Sequence, residues 1–131
     1  MKYLGIDYGQ ARVGLALAEG RGPAVPVKIL DKNGVGSIID RIKEFIDKEK
    51  IEVVVVGWPL SLSGRVVEST KNVDTFVKAL RAAIDKEIVL EDERLSSKAV
   101  TSLTGQTKGI DAQAAAMILQ TYLDRHYGQS D

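Results

Sequence analysis

The sequence predicts an α/β fold in which a mixed five-stranded sheet is flanked by helices. Three short alternating apolar segments open the chain, and the connections between them are short. Apolar residues then recur at helical spacing, first at Ile38, Ile42 and Ile46. A continuous apolar run, "IEVVVVG", follows and is typical of a strand buried on both faces. The predicted element order is βββαβαβα.

The first three strands are predicted over residues 2–7, 12–18 and 25–30. Residues 8–11 form a tight turn between the first two, so the three strands should make an antiparallel meander. A helix over 35–49 and a strand over 51–57 follow. A second helix is marked by Val73, Phe76, Val77, Leu80 and Ile84, and it leads to a strand over 87–93. The chain ends with a short helix and loop over 94–109 and a last helix from 111 to about 127.

Composition excludes several kinds of chemistry. The 131 residues suit one domain, residues 1–131, and the formal net charge is zero. There is no cysteine, which excludes disulfides, cysteine-bound zinc and thiol catalysis. With His126 as the single histidine, a bound metal would need carboxylate ligands, which favours Mg²⁺ or Mn²⁺. No apolar run approaches the ~20 residues that span a bilayer, so we expect a cytoplasmic protein.

Acidic residues stand at three positions where a ligand could bind. Asp7 ends the first strand, Glu93 or its neighbour Asp92 ends the fifth, and Asp111 begins the last helix. Ligands of open α/β sheets gather at the carboxyl ends of strands. Each acid also has a structural interpretation: Asp111 as a helix N-cap, and the fifth-strand acid as a solvent-exposed strand end paired with Arg94. Asp7 is harder to explain in this way, because a charge after an apolar strand must be hydrogen-bonded, paired or metal-bound.

Three converging carboxylates repel one another unless cations lie among them. Catalysis by two metal ions about 4 Å apart has this requirement, with one ion activating water and the other stabilising a leaving oxygen. We therefore predict that Asp7, Asp111 and a fifth-strand acid, either Glu93 or Asp92, are both catalytic and metal-binding, and that two Mg²⁺ or Mn²⁺ ions act on a phosphodiester.

The charge pattern supports a phosphate-binding surface. Residues 8–18, 53–67 and 95–110 contain no acid. The basic residues predicted to contact nucleic acid in or beside these segments are Arg12, Arg65, Arg94, Lys98 and Lys108. Two glycines lie at the same end of the sheet. Gly9 permits a positive φ in the turn or a close approach by a ligand, and Gly57 leaves room because it has no side chain. The alternative to a phosphate-binding surface is chance clustering of surface charge.

Four blocks occur in order: "GIDYGQARVGLALAE", "VVVVGWPLSLSG", "LEDERLSS" and "KGIDAQAAAMILQTYLD". Together they resemble the signature blocks of the YqgF/RuvX family of pre-16S rRNA nucleases and Holliday junction resolvases, over essentially the whole chain. The resemblance implies a ribonuclease H-like fold with strand order 3-2-1-4-5 and strand 2 antiparallel to the rest. It also implies that Asp7, Glu93 and Asp111 are the metal ligands and that Arg94 and Lys108 contact phosphate.

The sequence departs from the family pattern in places that affect the site. The family's "GLPL" is "GWPL" here, and Trp58 could stack on a base or serve as a core or dimer residue. Ser63 stands where many members have an acid, so we assign no metal role to that loop. The segment from Ser96 to Gly109 is shorter than in most members, which puts any substrate clamp there in doubt.

The leading hypothesis is a divalent-metal-dependent hydrolase that cleaves structured nucleic acid, most plausibly the 5′ end of pre-16S rRNA. The alternatives are a Holliday junction resolvase, which needs two symmetric cuts and hence a homodimer, and a non-catalytic ribosome-assembly factor that binds nucleic acid. An ATPase or kinase of the actin and sugar-kinase type shares the "GIDxG" hairpin. However, those enzymes need two such domains, and 131 residues make one.

Overall fold

The structure is a computed structural model that describes residues 1–34, 36–92 and 110–128, with the backbone alone described for Ile110, Asp111 and Gly128. Its elements are β1 (Lys2–Tyr8), β2 (Arg12–Glu19), β3 (Val25–Asp31), α1 (Ile38–Glu49), β4 (Val53–Trp58), α2 (Glu68–Ala83), β5 (Glu87–Asp92) and α3 (Ile110–Gly128). The predicted βββαβαβα order is confirmed. The expectations for Val35, Glu93 and residues 94–109 lie outside the described residues.

The five strands form one sheet in the order β3-β2-β1-β4-β5. β2 runs antiparallel to both β1 and β3, and β4 runs parallel to β1 and β5. The predicted strand order and the antiparallel second strand are therefore confirmed. The carboxyl ends of β1, β4 and β5 meet at one edge of the sheet, and this edge is referred to below as the carboxyl edge.

The two faces of the sheet carry separate cores. One face packs against α1 and α2 through residues such as Leu4, Ile6 and Val54. The other packs against α3 through residues such as Tyr3 and Val55. Because side chains alternate along a strand, even-numbered residues of β1, β4 and β5 face α1 and α2, and odd-numbered residues face α3.

The helices begin where the local chemistry favours it. The Ser37 side chain accepts a hydrogen bond from the Asp40 N–H at 3.0 Å, which caps α1. At the start of α2, the Thr70 hydroxyl accepts from the Val67 N–H and donates to the Pro59 carbonyl. This pair of contacts joins α2 to the loop that leaves β4. Among the described residues, no helix has both the length and the apolar character needed to cross a membrane.

Candidate active site

β1 brings Asp7 to the carboxyl edge on the face covered by α3. Asp7 is half-buried and pairs with Gly14 of β2. Ile6 lies beside Val56 of β4, so Asp7 is level with Gly57, which in turn pairs with Glu91 of β5. Gly57 is buried between the two acids.

Helix α3 packs against β1 in the opposite direction and carries Asp111 towards this edge. A Cβ added to Gly5 would lie 2.8 Å from both the Ala115 carbonyl oxygen and the Leu119 Cβ, so helix and strand are in direct contact there. Tyr3, two residues earlier, contacts Tyr122, farther along α3. Two residues after Gly5 is Asp7, and one helical turn before Ala115 is Asp111. The packing therefore brings the backbone of Asp111 towards Asp7.

Asp111 is the second residue of α3, because the helix begins at Ile110. The N-cap interpretation places Asp111 before the first helical turn, whereas the structure places it inside that turn. A carboxylate at this position also interacts favourably with the positive end of the helix dipole.

The sheet register separates Asp92 from Asp7. Asp92 pairs with Trp58, and Trp58 packs against the core beneath α1 and α2. Asp92 therefore lies on that face and Asp7 on the other. The register thus argues against Asp92 as a partner of Asp7, and Glu93 lies outside the described residues.

Glu91 is a buried carboxylate that the sequence analysis did not single out. It is 1% exposed, and its Oε1 lies 2.5 Å from Nη2 of Arg125 in α3. Burial raises the pKa of Glu91, and the Arg125 guanidinium opposes this rise. Because 34 positions separate the two residues, no local pattern predicts the pair. The contact ties β5 to the helix that carries Asp111.

Two of the basic residues predicted to contact nucleic acid, Arg12 and Arg65, are described, and both lie near the carboxyl edge. Arg12 is exposed at the start of β2, just after the turn that follows Asp7. Arg65 is exposed in the loop after β4, where its N–H donates to the Ser61 hydroxyl at 3.0 Å. The Ser61 N–H also donates to the Arg65 carbonyl at 3.0 Å, which closes the loop. The predicted contacts Arg94, Lys98 and Lys108 lie outside the described residues.

Two sequence expectations change with the structure. Trp58 is half-buried against the core beneath α1 and α2, which favours the core interpretation over base stacking. Gly9 is not among the described glycines with positive φ, which are Gly20, Gly36 and Gly64. Its N–H instead donates to the Arg12 carbonyl at 2.9 Å and closes the turn between β1 and β2.

The described side chains include one of the three predicted metal ligands. Among them, no group of three acidic, histidine or cysteine side chains could hold an ion. Of the three predicted ligands, the side chain of Asp7 is described, and it occupies the edge where α3 begins. The single histidine, His126, stacks on Tyr122 with ring centroids 5.4 Å apart, near the other end of β1. A donor set of carboxylates alone suits Mg²⁺ or Mn²⁺.

The fold is of the ribonuclease H-like type. The structure is similar to Thermus thermophilus RuvC in complex with a Holliday junction, with a TM-score of 0.64 and 17% identity over 98% of this chain and 96% of that one. It is also similar to the fowlpox virus resolvase in complex with Holliday junction DNA, with a TM-score of 0.59 and 9% identity over 97% of this chain and 99% of that one.

Residues 1–125 match the family model described as "RuvX: Holliday junction resolvase", and the chain belongs to this family. A relative from Maridesulfovibrio salexigens, named "Putative pre-16S rRNA nuclease", is 37% identical over 95% of this chain and 99% of its own length. A relative from Synechococcus with the same name is 36% identical over 97% of this chain and 86% of its own length. The family resemblance predicted from the four sequence blocks is confirmed.

Proposed function

We propose that this protein is a nuclease of a single domain that hydrolyses phosphodiester bonds in structured nucleic acid, and that its substrate is the 5′ region of pre-16S rRNA. The observation that carries the proposal is the antiparallel packing of α3 on β1, which brings Asp111 towards Asp7 at the carboxyl edge. Family membership and the names of the relatives support the same reaction class. We place this activity in the cytoplasm, together with the precursor RNA.

In this proposal Asp7, Glu93 and Asp111 hold two Mg²⁺ or Mn²⁺ ions. The ions would supply an activated water and stabilise the leaving oxygen. The chain's own residues orient these ligands: Gly5 lets α3 approach β1, and the Glu91–Arg125 pair joins α3 to β5. Arg12 and Arg65 are placed to contact backbone phosphates on either side of the carboxyl edge.

Holliday junction resolution is the second candidate, because the family description and both structural neighbours name it. It requires two symmetric cuts and therefore a homodimer. The measured mass in solution distinguishes the two candidates, since a monomer that cleaves pre-16S rRNA supports the first. A non-catalytic assembly factor would bind these nucleic acids and cleave neither.

The test is parallel incubation of the purified protein with a 5′-extended pre-16S rRNA fragment and a four-way DNA junction, with and without Mn²⁺. Asp7→Asn should reduce cleavage about a hundredfold or more, because a metal ligand contributes several kcal/mol to transition-state stabilisation. The matched control is Asp85→Asn, an exposed acid between α2 and β5 that should cleave normally. Normal cleavage by Asp7→Asn would contradict the carboxylate site, and no cleavage of either substrate by the wild type would contradict the nuclease.

A further inference from the structure

A polar cleft lies beside the carboxyl edge, on the face opposite Asp7. Its volume is about 520 Å³, and its lining includes Tyr8, Gln10, Lys32, Glu68, Asn72 and Thr75. These residues come from the β1–β2 turn, the end of β3 and the first turns of α2. Tyr8 directly follows Asp7, so a nucleic-acid strand that presents a phosphate to Asp7 can continue over the end of β1 into this cleft.

Lys32 is the basic residue of the cleft, and the surrounding structure holds it in place. Its Nζ lies 3.7 Å from the centroid of the Tyr8 ring. The Tyr8 ring is itself stacked on Phe76 of α2, with centroids 4.3 Å apart. The Lys32 backbone N–H donates to the Ala11 carbonyl at 3.0 Å, which fixes the end of β3 to the β1–β2 turn. A cation held by an aromatic ring loses less conformational entropy when it binds an anion.

The neighbouring acids do not neutralise Lys32 within the part of the chain that the structure describes. No ion pair joins Lys32 to a described carboxylate. Asp31, its neighbour in sequence, accepts a hydrogen bond from the Asn33 N–H at 2.8 Å. The acid of the cleft is Glu68, the first residue of α2. A ligand that presents phosphate to Lys32 and hydrogen-bond donors to Glu68 and Asn72 matches this arrangement, and a nucleotide has both.

We propose that this cleft binds the nucleotide next to the one that is cleaved, with Lys32 contacting its phosphate and Asn72 its sugar or base. The inference rests on the proposed nuclease function and deepens it, because it extends the substrate-binding surface from the α3 face to the α2 face. RNA and DNA share the chemical group that this cleft would bind, which is a nucleotide within a single strand. RNA and DNA strands of one sequence distinguish a ribose from a deoxyribose ligand.

The experiment measures binding of fluorescent single-stranded RNA and DNA of the same sequence by anisotropy, in EDTA and at several salt concentrations. Lys32→Ala should weaken binding about tenfold, the change expected from the loss of one charge-assisted contact. The slope of log affinity against log salt should fall by about 0.7, the contribution of one phosphate contact on a single strand. Asn72→Ala should weaken binding without changing that slope, because its amide carries no charge.

Lys28→Ala is the matched control, since Lys28 is exposed on β3, which ends just before Lys32, and does not line the cleft. Lys32→Gln removes the charge but keeps most of the side chain on the Tyr8 ring, so it tests the charge if Lys32→Ala fails to fold. An effect of Lys32→Gln no larger than that of Lys28→Ala would overturn the phosphate assignment, and unchanged affinity in Asn72→Ala would overturn the amide contact.

These experiments distinguish failure of the cleft proposal from failure of the proposed nuclease function. EDTA removes any dependence on bound metal, so the binding data do not require an intact carboxylate site. Normal cleavage by the wild type together with normal binding by the Lys32 variants would contradict the cleft alone. A wild-type protein that binds neither strand would contradict the cleft, whereas the nuclease function is decided by the separate cleavage assay.

Discussion

The two ends of the contact between β1 and α3 differ in how they use polar side chains. At one end Tyr3 is 1% exposed, and its hydroxyl lies 2.6 Å from that of Tyr127. The rings of Tyr122 and Tyr127 lie close by, and Arg21 lies over the Tyr127 ring. At the other end Asp7 is half-buried between a glycine-containing turn and the start of α3. Burial raises the pKa of Tyr3, so this phenol remains neutral.

The comparison shows how one strand and one helix can support both stability and function. Large aromatic side chains fill the Tyr3 end and satisfy their hydroxyls there, so that end should contribute mainly to folding. In the part of the chain that the structure describes, small and acidic residues such as Gly57, Glu91 and Asp7 occupy the other end, which leaves little apolar area to bury. Substitutions near Tyr3 should therefore change the free energy of unfolding, whereas Asp7→Asn should change activity and leave stability nearly unaltered.

The largest stability effect is expected for Tyr3→Ala. Removing a fully buried aromatic ring should lower the free energy of unfolding by about 3–5 kcal/mol, through lost burial and the cavity left behind. Urea denaturation followed by circular dichroism measures this change. A loss smaller than about 1 kcal/mol would show that the Tyr3 end is not a core and would break the comparison.

Gly5→Ala tests the middle of the contact, where both effects should appear. The added methyl group would lie 2.8 Å from the Ala115 carbonyl oxygen, so α3 must move away from β1. We expect a loss of about 1–3 kcal/mol in stability and slower cleavage, because the same helix carries Asp111. Stability and cleavage are measured on the same preparation, and wild-type values for both would contradict the close packing.

Glu91 predicts a specific pH dependence of stability. Its pKa is raised in the folded state, so the folded protein binds this proton more tightly than the unfolded chain does. The stability from Glu91 is therefore present below the ordinary glutamate pKa and is lost as pH rises through the raised value. In urea denaturation without divalent ions, the stability of the wild type relative to Glu91→Gln should decrease across this window. Glu87→Gln, at an exposed position of the same strand, is the matched control for loss of a carboxylate.

The smallest effect is expected for Tyr127→Phe. This change removes one hydroxyl and leaves the Tyr3 hydroxyl without its partner, at a cost of about 1 kcal/mol. A double-mutant cycle with Tyr3→Phe isolates the hydroxyl–hydroxyl interaction, because each single change keeps its ring. A coupling energy of zero would show that ring packing alone stabilises this end.

Much of the fold could be predicted from local patterns. Alternation at Val13, Leu15 and Leu17 predicted β2, and helical spacing at Ile42 and Ile46 predicted α1, because each periodicity follows from which face is buried. Helix ends were less predictable. The prediction began α1 at residue 35, whereas the structure begins it at Ile38 after the Ser37 cap. A cap depends on one side-chain hydrogen bond and not on a repeated pattern.

The site was partly predictable for a different reason. Asp7 could be singled out as a candidate, because an acid after an apolar strand needs a special environment. Glu91 and Lys32 could not, because their partners Arg125 and Tyr8 are distant in sequence. Trp58 was open to two interpretations, since the sequence shows an aromatic residue in a loop-like context but not which core it meets.

By itself, the sequence restricted the candidate metal ligands to carboxylates, because a chain with no cysteine and one histidine has mainly carboxylates to offer a metal ion. It also determined the order of the elements through local periodicity. Only the tertiary structure decided which residues share a face of the sheet. Asp7 and Asp92 both lie at the carboxyl edge, yet the register places them on opposite faces of the sheet. Neighbouring side chains of a strand alternate between the two faces, and the pairing of distant strands decides which face each side chain shares with its neighbours.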